Sequence, residues 1–189
     1  MKRKLGVAAG LFWFCLWVLA APGGAQAGVQ NGLGLFLLGG GLKISEQTTA
    51  KEYGRTSFGV GMDYQWALGE AFSLALFGSD NVGRARIPGQ EGQSDVKTGA
   101  VGLQFRLWMG PLFMGFHRGV YAAAISEKRY STDFELSNRR AGRGFVLGLE
   151  GPGGWSIIIQ GDEARGLEMP AGSVVDLVGL RLGLGYRWK

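Results

Sequence analysis

The chain is poor in the residues that most often carry chemistry: one cysteine, one histidine and five prolines in 189 positions. The cysteine, Cys15, sits in an apolar segment near the start, and the residues before it (Phe12-Trp13-Phe14) do not fit a lipoprotein box. The remainder therefore has no thiol for a disulfide or for nucleophilic work. One histidine, His117, cannot supply the ligand set of a metal centre. Past the first 21 residues no apolar run is long enough to cross a membrane as a helix. The glycine runs Gly32-Leu33-Gly34 and Gly39-Gly40-Gly41 are not phosphate loops, because no Lys-Ser/Thr follows and no helix begins. No cofactor is implied. The formal charge of +5 includes Lys2, Arg3 and Lys4; without them it falls to about +2, too little to argue for nucleic acid.

Those three cations open a recognisable segment. Leu5 to Ala21 are almost all apolar, and Ala25-Gln26-Ala27 forms a small-residue cleavage box. Residues 1–27 are expected to be a secretory signal peptide, with a mature chain from Gly28. Residues 28–189 then make a single domain.

What is abundant is glycine, 35 residues without a collagen-like or low-complexity pattern. It is interleaved with apolar residues at a period of two. Phe58, Val60, Met62, Tyr64, Trp66 and Leu68 share one face of an extended segment; Gly59, Gly61, Asp63, Gln65 and Ala67 share the other. Eleven residues tilted by about 40° rise roughly 28 Å, the height of a bilayer core. In a soluble barrel the apolar face would point inward and the other would carry Lys, Glu and Thr. Here the second face suits a crowded lumen.

The same alternation predicts eight strands, at about 32–45, 55–68, 72–81, 97–109, 112–125, 142–151, 155–163 and 174–188. Tight turns at Gly69-Glu70, Gly110-Pro111 and Pro152-Gly153-Gly154 alternate with long polar loops near 46–54, 82–96, 126–141 and 164–173. An even number of strands lets an up-and-down meander close without a free edge, which a bilayer does not tolerate. Trp66, Trp108, Trp155 and Trp188 all fall near the short-turn end, and three point outward. Trp66, Trp155, Tyr186 and Trp188 read as an aromatic girdle at the periplasmic interface.

The last strand is the most specific feature. Leu180, Leu182, Leu184, Tyr186 and Trp188 alternate with Arg181, Gly183, Gly185 and Arg187. With Arg181, Gly183, Tyr186 and Trp188 at its key positions, it resembles the C-terminal sorting strand of Gram-negative outer-membrane β-barrels. It departs in having Lys189 after the aromatic residue. The whole predicted domain resembles the small eight-stranded members of that group: the OmpA transmembrane domain, OmpX and the opacity proteins. The resemblance implies an all-β, antiparallel, up-and-down transmembrane barrel. It also implies a monomer in the outer membrane, in contact with outer-membrane lipid and lipopolysaccharide and delivered by the barrel-assembly machinery.

The lumen face offers Lys43, Asp63, Gln65, Gln104, Arg106, Glu150, Gln160, Asp162, Arg181 and Arg187. A polar network of Asp63, Gln104, Arg106, Glu150, Gln160, Asp162 and Arg181 is expected there, with Arg106, Glu150, Asp63 and Arg181 as its charged centre. In so narrow a barrel mixed charges must pair. Lumenal glycines, among them Gly59, Gly61, Gly102, Gly148, Gly183 and Gly185, make room for them. No catalytic residue is assigned. Two lipid A enzymes of the resembled group place a His with a Ser and an acid near the outer rim; His117 is too close to the Gly110-Pro111 turn, and no His-x-Ser pair exists.

Two strands are ambiguous. In 112–125, Leu112, Met114 and Phe116 face one way, and the same parity sends Arg118 into lipid at a cost of about 2–4 kcal/mol near the midplane. A bulge at Gly115 or Gly119 would bring Arg118 inside. In 32–45, Leu35/Leu37 and Leu42/Ile44 compete for the outer face. The third long loop, Ser126 to Arg143, holds Glu127, Lys128, Arg129, Asp133, Glu135, Arg139, Arg140 and Arg143 and reads first as a solvated loop; the alternative is a basic end suited to lipopolysaccharide phosphates, with Tyr130 and Phe134 as partner contacts. The leading reading is a structural or cell-surface interaction barrel. The alternatives are a small pore for hydrophobic solutes, as in OmpW-like barrels, and a lipid A-modifying enzyme.

Overall fold

The computed structural model describes residues 29–47, 52–53, 56–86, 93–126 and 135–189. The expected leader with its cleavage box and Cys15 lies outside these residues, as do Glu127, Lys128, Arg129, Tyr130, Asp133 and Phe134 of the third loop. Eight long strands form the wall: β1 (Gly32–Glu46), β2 (Thr56–Ala67), β3 (Phe72–Arg86), β4 (Gln93–Met109), β5 (Leu112–Ser126), β6 (Arg140–Glu150), β7 (Trp155–Glu168) and β8 (Val174–Trp188). Two further two-residue strands, Glu52–Tyr53 and Glu135–Leu136, pair with β1 and β5. Each strand pairs antiparallel with its sequence neighbour, and β8 pairs with β1 from Leu33↔Trp188 to Glu46↔Val175, closing the barrel.

The closure has a definite stagger. Cross-strand neighbours lead from Leu33 through Tyr64, Leu76, Leu103, Arg118, Arg143, Glu163 and Val178. The circuit returns to β1 at Lys43, ten residues above its start. With eight strands, that stagger tilts them by roughly 40° and gives about 2.5 Å of height per residue. On the same arithmetic Tyr64, Trp66, Trp155, Tyr186 and Trp188 lie within about 5 Å of the level of Leu33, forming one ring near the short turns. Neighbouring members pack edge to face: Tyr64 on Trp66, Trp155 on Tyr186, and Tyr186 on Trp188.

Apolar side chains face out. Leu37 is 71% and Phe58 69% exposed, and Val60, Met62, Val101, Leu103, Leu180 and Leu184 continue the belt. The ambiguity in β1 resolves without a bulge: Leu33, Leu35 and Leu37 point outward, so Phe36, Leu38, Leu42 and Ile44 point inward. The same parity turns Lys43 outward, not into the lumen as expected from sequence. β5 is also regular from Leu112 to Ser126, with no register shift against β4 or β6. Arg118 therefore faces outward and His117 inward. Asp80 on β3 is another exposed charge in the outer half of the wall.

Several strands outrun their predicted ends. β3 continues to Arg86, β4 begins at Gln93 and β7 runs to Glu168. Beyond the apolar belt the outward positions become polar, so the period-2 contrast fades while backbone pairing continues. Arg140, expected in a loop, and Arg143, where the predicted loop and strand overlap, both belong to β6 for this reason.

The core is the lumen itself. Toward the long-loop end it is packed with Leu42, Ile44, Val96, Tyr121, Leu167, Val175 and Leu177. Toward the short-turn end it holds Phe36, Leu38, Trp108, Phe113, Val146 and Ile158. Trp108 is the one tryptophan of the described wall that points inward; its indole N–H donates to Ser73 Oγ at 2.9 Å. Polar side chains fill the space between and beside these clusters.

Candidate functional site

The alternation that places apolar residues outside places the remaining large side chains inside, and most of them are ionic. Two groups result. The lower one is built on Asp63 of β2, which is 3% exposed. Arg106 of β4 reaches it through Nη2, while its Nη1 donates to Gln65 Oε1 at 2.8 Å and its Nε to Gln104 Oε1 at 2.6 Å. Arg187 of β8 takes the other side: Nη1 lies 2.6 Å from Asp63 Oδ1 and Nη2 3.2 Å from Oδ2. Arg187 Nε also donates to Glu150 Oε2 at 3.1 Å, and Lys189 Nζ is 3.3 Å from Glu150 Oε1. Two carboxylates thus face three cations, and the Arg106 guanidinium stacks over the Phe113 ring at 5.1 Å.

The upper group centres on Asp162 of β7. Its Oδ2 receives Arg181 of β8. Its Oδ1 accepts from Tyr121 Oη at 2.9 Å, from Gln160 Nε2 at 3.2 Å and from His117 Nε2 at 2.9 Å. With Asp162 as acceptor, a neutral imidazole carries its proton on Nε2 and leaves Nδ1 as an acceptor. Gln104 Nε2 lies 3.4 Å from that Nδ1 and so links the two groups. Glycine makes the space for this: a Cβ on Gly144, directly opposite His117 in the ladder, would sit 2.3 Å from the His117 Nε2.

All seven residues named for the polar network from the sequence are therefore buried, and each hydrogen-bonds to another lumenal side chain. The partnership differs from the expected one in one respect. Arg181 pairs with Asp162, while the cation shared by Glu150 and Asp63 is Arg187. Arg187 stands on the lumen face in the sequence, but period-2 alternation carries no information about which residues meet across the barrel. Tyr121 is a further member, hidden because its strand was the ambiguous one.

The arrangement leaves little room. A cavity beside Asp63, Gln104 and Arg106 has a volume of about 20 Å³, the space of roughly one water. Among the described residues the His117–Asp162 pair has an acid but no serine bonded to it; the hydroxyl that donates to Asp162 is the phenol of Tyr121. Among the described residues no group of His, Cys, Asp and Glu is placed to hold a metal ion.

No family model matches this chain, and no curated protein matches it. Solved structures do. Ail, the attachment invasion locus protein of Yersinia pestis, solved in complex with the heparin analogue sucrose octasulfate, is similar over 84% of this chain and 99% of its own, with a TM-score of 0.53 at 15% identity. Neisserial surface protein A is similar over 82% of this chain and 97% of its own, with a TM-score of 0.56 at 9% identity. At these identities the likeness is one of fold: the chain has the closed eight-stranded antiparallel architecture of the small outer-membrane β-barrels.

Proposed function

We propose that this chain is an integral outer-membrane barrel with a structural or cell-surface interaction role, and that its lumen is held shut by the ionic network. The observation that carries this reading is the pairing of each lumenal arginine among the described residues, Arg106, Arg181 and Arg187, with a lumenal carboxylate, in a wall whose outer face is apolar. Breaking one such pair leaves a buried charge uncompensated, so the network resists opening. The aromatic ring near the short turns suits a membrane–water interface. The resemblance of the last strand to a sorting signal, and the leader before Gly28, fit export and insertion by the barrel-assembly machinery as a monomer. The likeness to an attachment protein and a surface protein supports a role outside catalysis. So does the position of His117, shut inside the lumen rather than at a rim that lipid can reach.

Planar-bilayer recording tests the closed lumen. The unmodified barrel is expected to give no steady current, and Glu150→Ala to give small, intermittent leaks. Steady, solute-sized conductance from the unmodified protein would replace this reading with the pore. Export is tested separately, by sequencing the amino terminus of the protein recovered from the outer-membrane fraction: it should begin at Gly28.

A further inference from the structure

The outer wall of β5, β6 and β7 breaks the apolar belt with a group of charges. Arg118, Arg143 and Glu163 are direct cross-strand neighbours on the outward face. Below them, toward the short turns, lie Phe116 and Phe145, 65% and 50% exposed; above them lie Val120, Ala141 and Arg165. Glu163 is held from both sides: Arg143 Nε is 3.1 Å from Oε2, and Arg165 Nε is 2.6 Å from Oε1. Arg118 makes no ion pair among the described residues. Two guanidiniums thus share one carboxylate while the third, Arg118, has none, and Arg118 and Arg143 stand directly opposite each other, an arrangement that like charges disfavour. Phe116, Arg118, Ala141, Arg143, Glu163 and Arg165 line an open groove of about 570 Å³.

Height matters as much as charge. By the stagger of the barrel, Arg118 and Arg143 lie roughly 12–15 Å above the aromatic ring and Arg165 about 23 Å above it. The groove therefore runs from the middle of a belt about 25 Å tall to its outer rim, on the long-loop side. A bilayer of unmodified thickness would press hydrocarbon against Arg118. A ligand that relieves this must carry at least two negative charges, bring them down the wall from the outer surface, and place hydrocarbon below them against Phe116 and Phe145. Arginine forks match phosphate oxygens in pairs.

We propose that this groove binds the phosphate groups of a phosphorylated lipid of the outer leaflet, with Arg118 and Arg143 clasping the phosphate, Arg165 at the entrance, and the acyl chains on the phenylalanines below. Glu163 spaces the arginines and keeps Arg143 and Arg165 extended. The inference rests on the membrane reading above.

The full barrel, folded in phosphatidylcholine vesicles, is tested for retention of diphosphoryl lipid A, of the same lipid with its phosphates removed, and of inorganic pyrophosphate. Binding is read by native mass spectrometry of the barrel released from the vesicles. The expected result is at least tenfold preference for the diphosphoryl lipid over the dephosphorylated one, with pyrophosphate a weak competitor. The double variant Arg118→Gln/Arg143→Gln should lose that preference while keeping the heat-dependent gel shift of a folded barrel, and Lys43→Gln, outward on β1 and outside the lining of the groove, should keep it. Equal retention of both lipids, unchanged retention by the double variant, or displacement by equimolar pyrophosphate would each overturn the proposal. So would a dimer of the barrel that masks the groove in place of lipid. A barrel that folds in detergent yet never enters vesicles would sink the membrane reading itself; one that enters and fails to discriminate sinks the groove alone.

Discussion

Arg187 grips both carboxylate oxygens of Asp63, 124 positions earlier in the chain, at 2.6 and 3.2 Å. The two lie on β8 and β2, the strands that flank β1, so the contact spans the seam where the last strand closes on the first. Asp63 also takes Arg106 from β4. One carboxylate thus compensates two buried guanidiniums. Asp63→Ala should cost about 3–5 kcal/mol of barrel stability, the usual penalty for stranding a buried charge. Arg139→Ala on the exposed loop side should change it by no more than about 0.5 kcal/mol. Urea titration of the barrel refolded in vesicles measures both, and equal midpoints would remove the network from the stability account.

The division of the network into two groups is checked by double-mutant cycles. Glu150 touches Arg187 and not Arg181, which belongs to Asp162. Glu150→Ala should couple with Arg187→Ala by about 1 kcal/mol or more, and with Arg181→Ala by less than about 0.5 kcal/mol. Strong coupling to Arg181 would mean that the lumen behaves as one unit.

Why some of this was legible in the sequence and some was not follows from the range of the signal. Parity is local. It places Asp63, Gln104, Arg106, Glu150, Gln160, Asp162 and Arg181 indoors and Phe58 and Leu180 outdoors, because each strand has one oily and one polar face. It fails at Lys43, where Leu42 and Ile44 turn inward to an apolar cap at the long-loop end, so the oily face is no longer the outer one. It also cannot choose between Arg181 and Arg187 as the partner of Glu150. That choice depends on the registers of β6 on β7 and of β7 on β8, which no single strand encodes. Arg118 invited a bulge only on the assumption that a charge in the belt must be hidden; Arg143 beside it, counted with the loop's basic end, was the missing half of the groove.

The closed ladder should survive SDS at room temperature. Every wall strand is paired on both sides and β8 joins β1, so no edge is left for detergent to open. Unheated samples should migrate apart from boiled ones on a gel and show a β-rich circular dichroism spectrum. A helical spectrum, or identical migration with rapid proteolysis of the strands, would contradict the fold.

Tryptophan depth separates the ring from the lumen. Trp66, Trp155 and Trp188 are 40%, 63% and 50% exposed on the outer face, whereas Trp108 is 5% exposed inside and bonded to Ser73. In single-tryptophan variants of the barrel in vesicles, lipids brominated near the headgroup should quench the first three strongly and Trp108 weakly. Strong quenching of Trp108, or quenching of the others only by lipids brominated at the chain end, would displace the girdle.

Packing in the lumen is tight enough for one methyl group to be read. Gly148 of β6 stands opposite Phe113 of β5, and a Cβ there would lie 2.3 Å from Phe113 Cζ and 2.6 Å from Cε1. The ring cannot easily yield, because it is fully buried, packs on Trp108 at 4.6 Å between centroids and lies under Arg106. Gly148→Ala should therefore cost about 1–3 kcal/mol through overpacking. Gly99→Ala, whose new Cβ would meet only a backbone oxygen at 3.9 Å, should lie within about 0.5 kcal/mol of the parent. Since the three atoms nearest a Cβ at Gly148 all belong to the Phe113 ring, Phe113→Leu should absorb much of the Gly148→Ala penalty, making the double variant more stable than the sum of the two single losses. Urea midpoints for the four proteins decide it: additive losses would mean that the glycine serves the backbone of β6 and not the ring it faces.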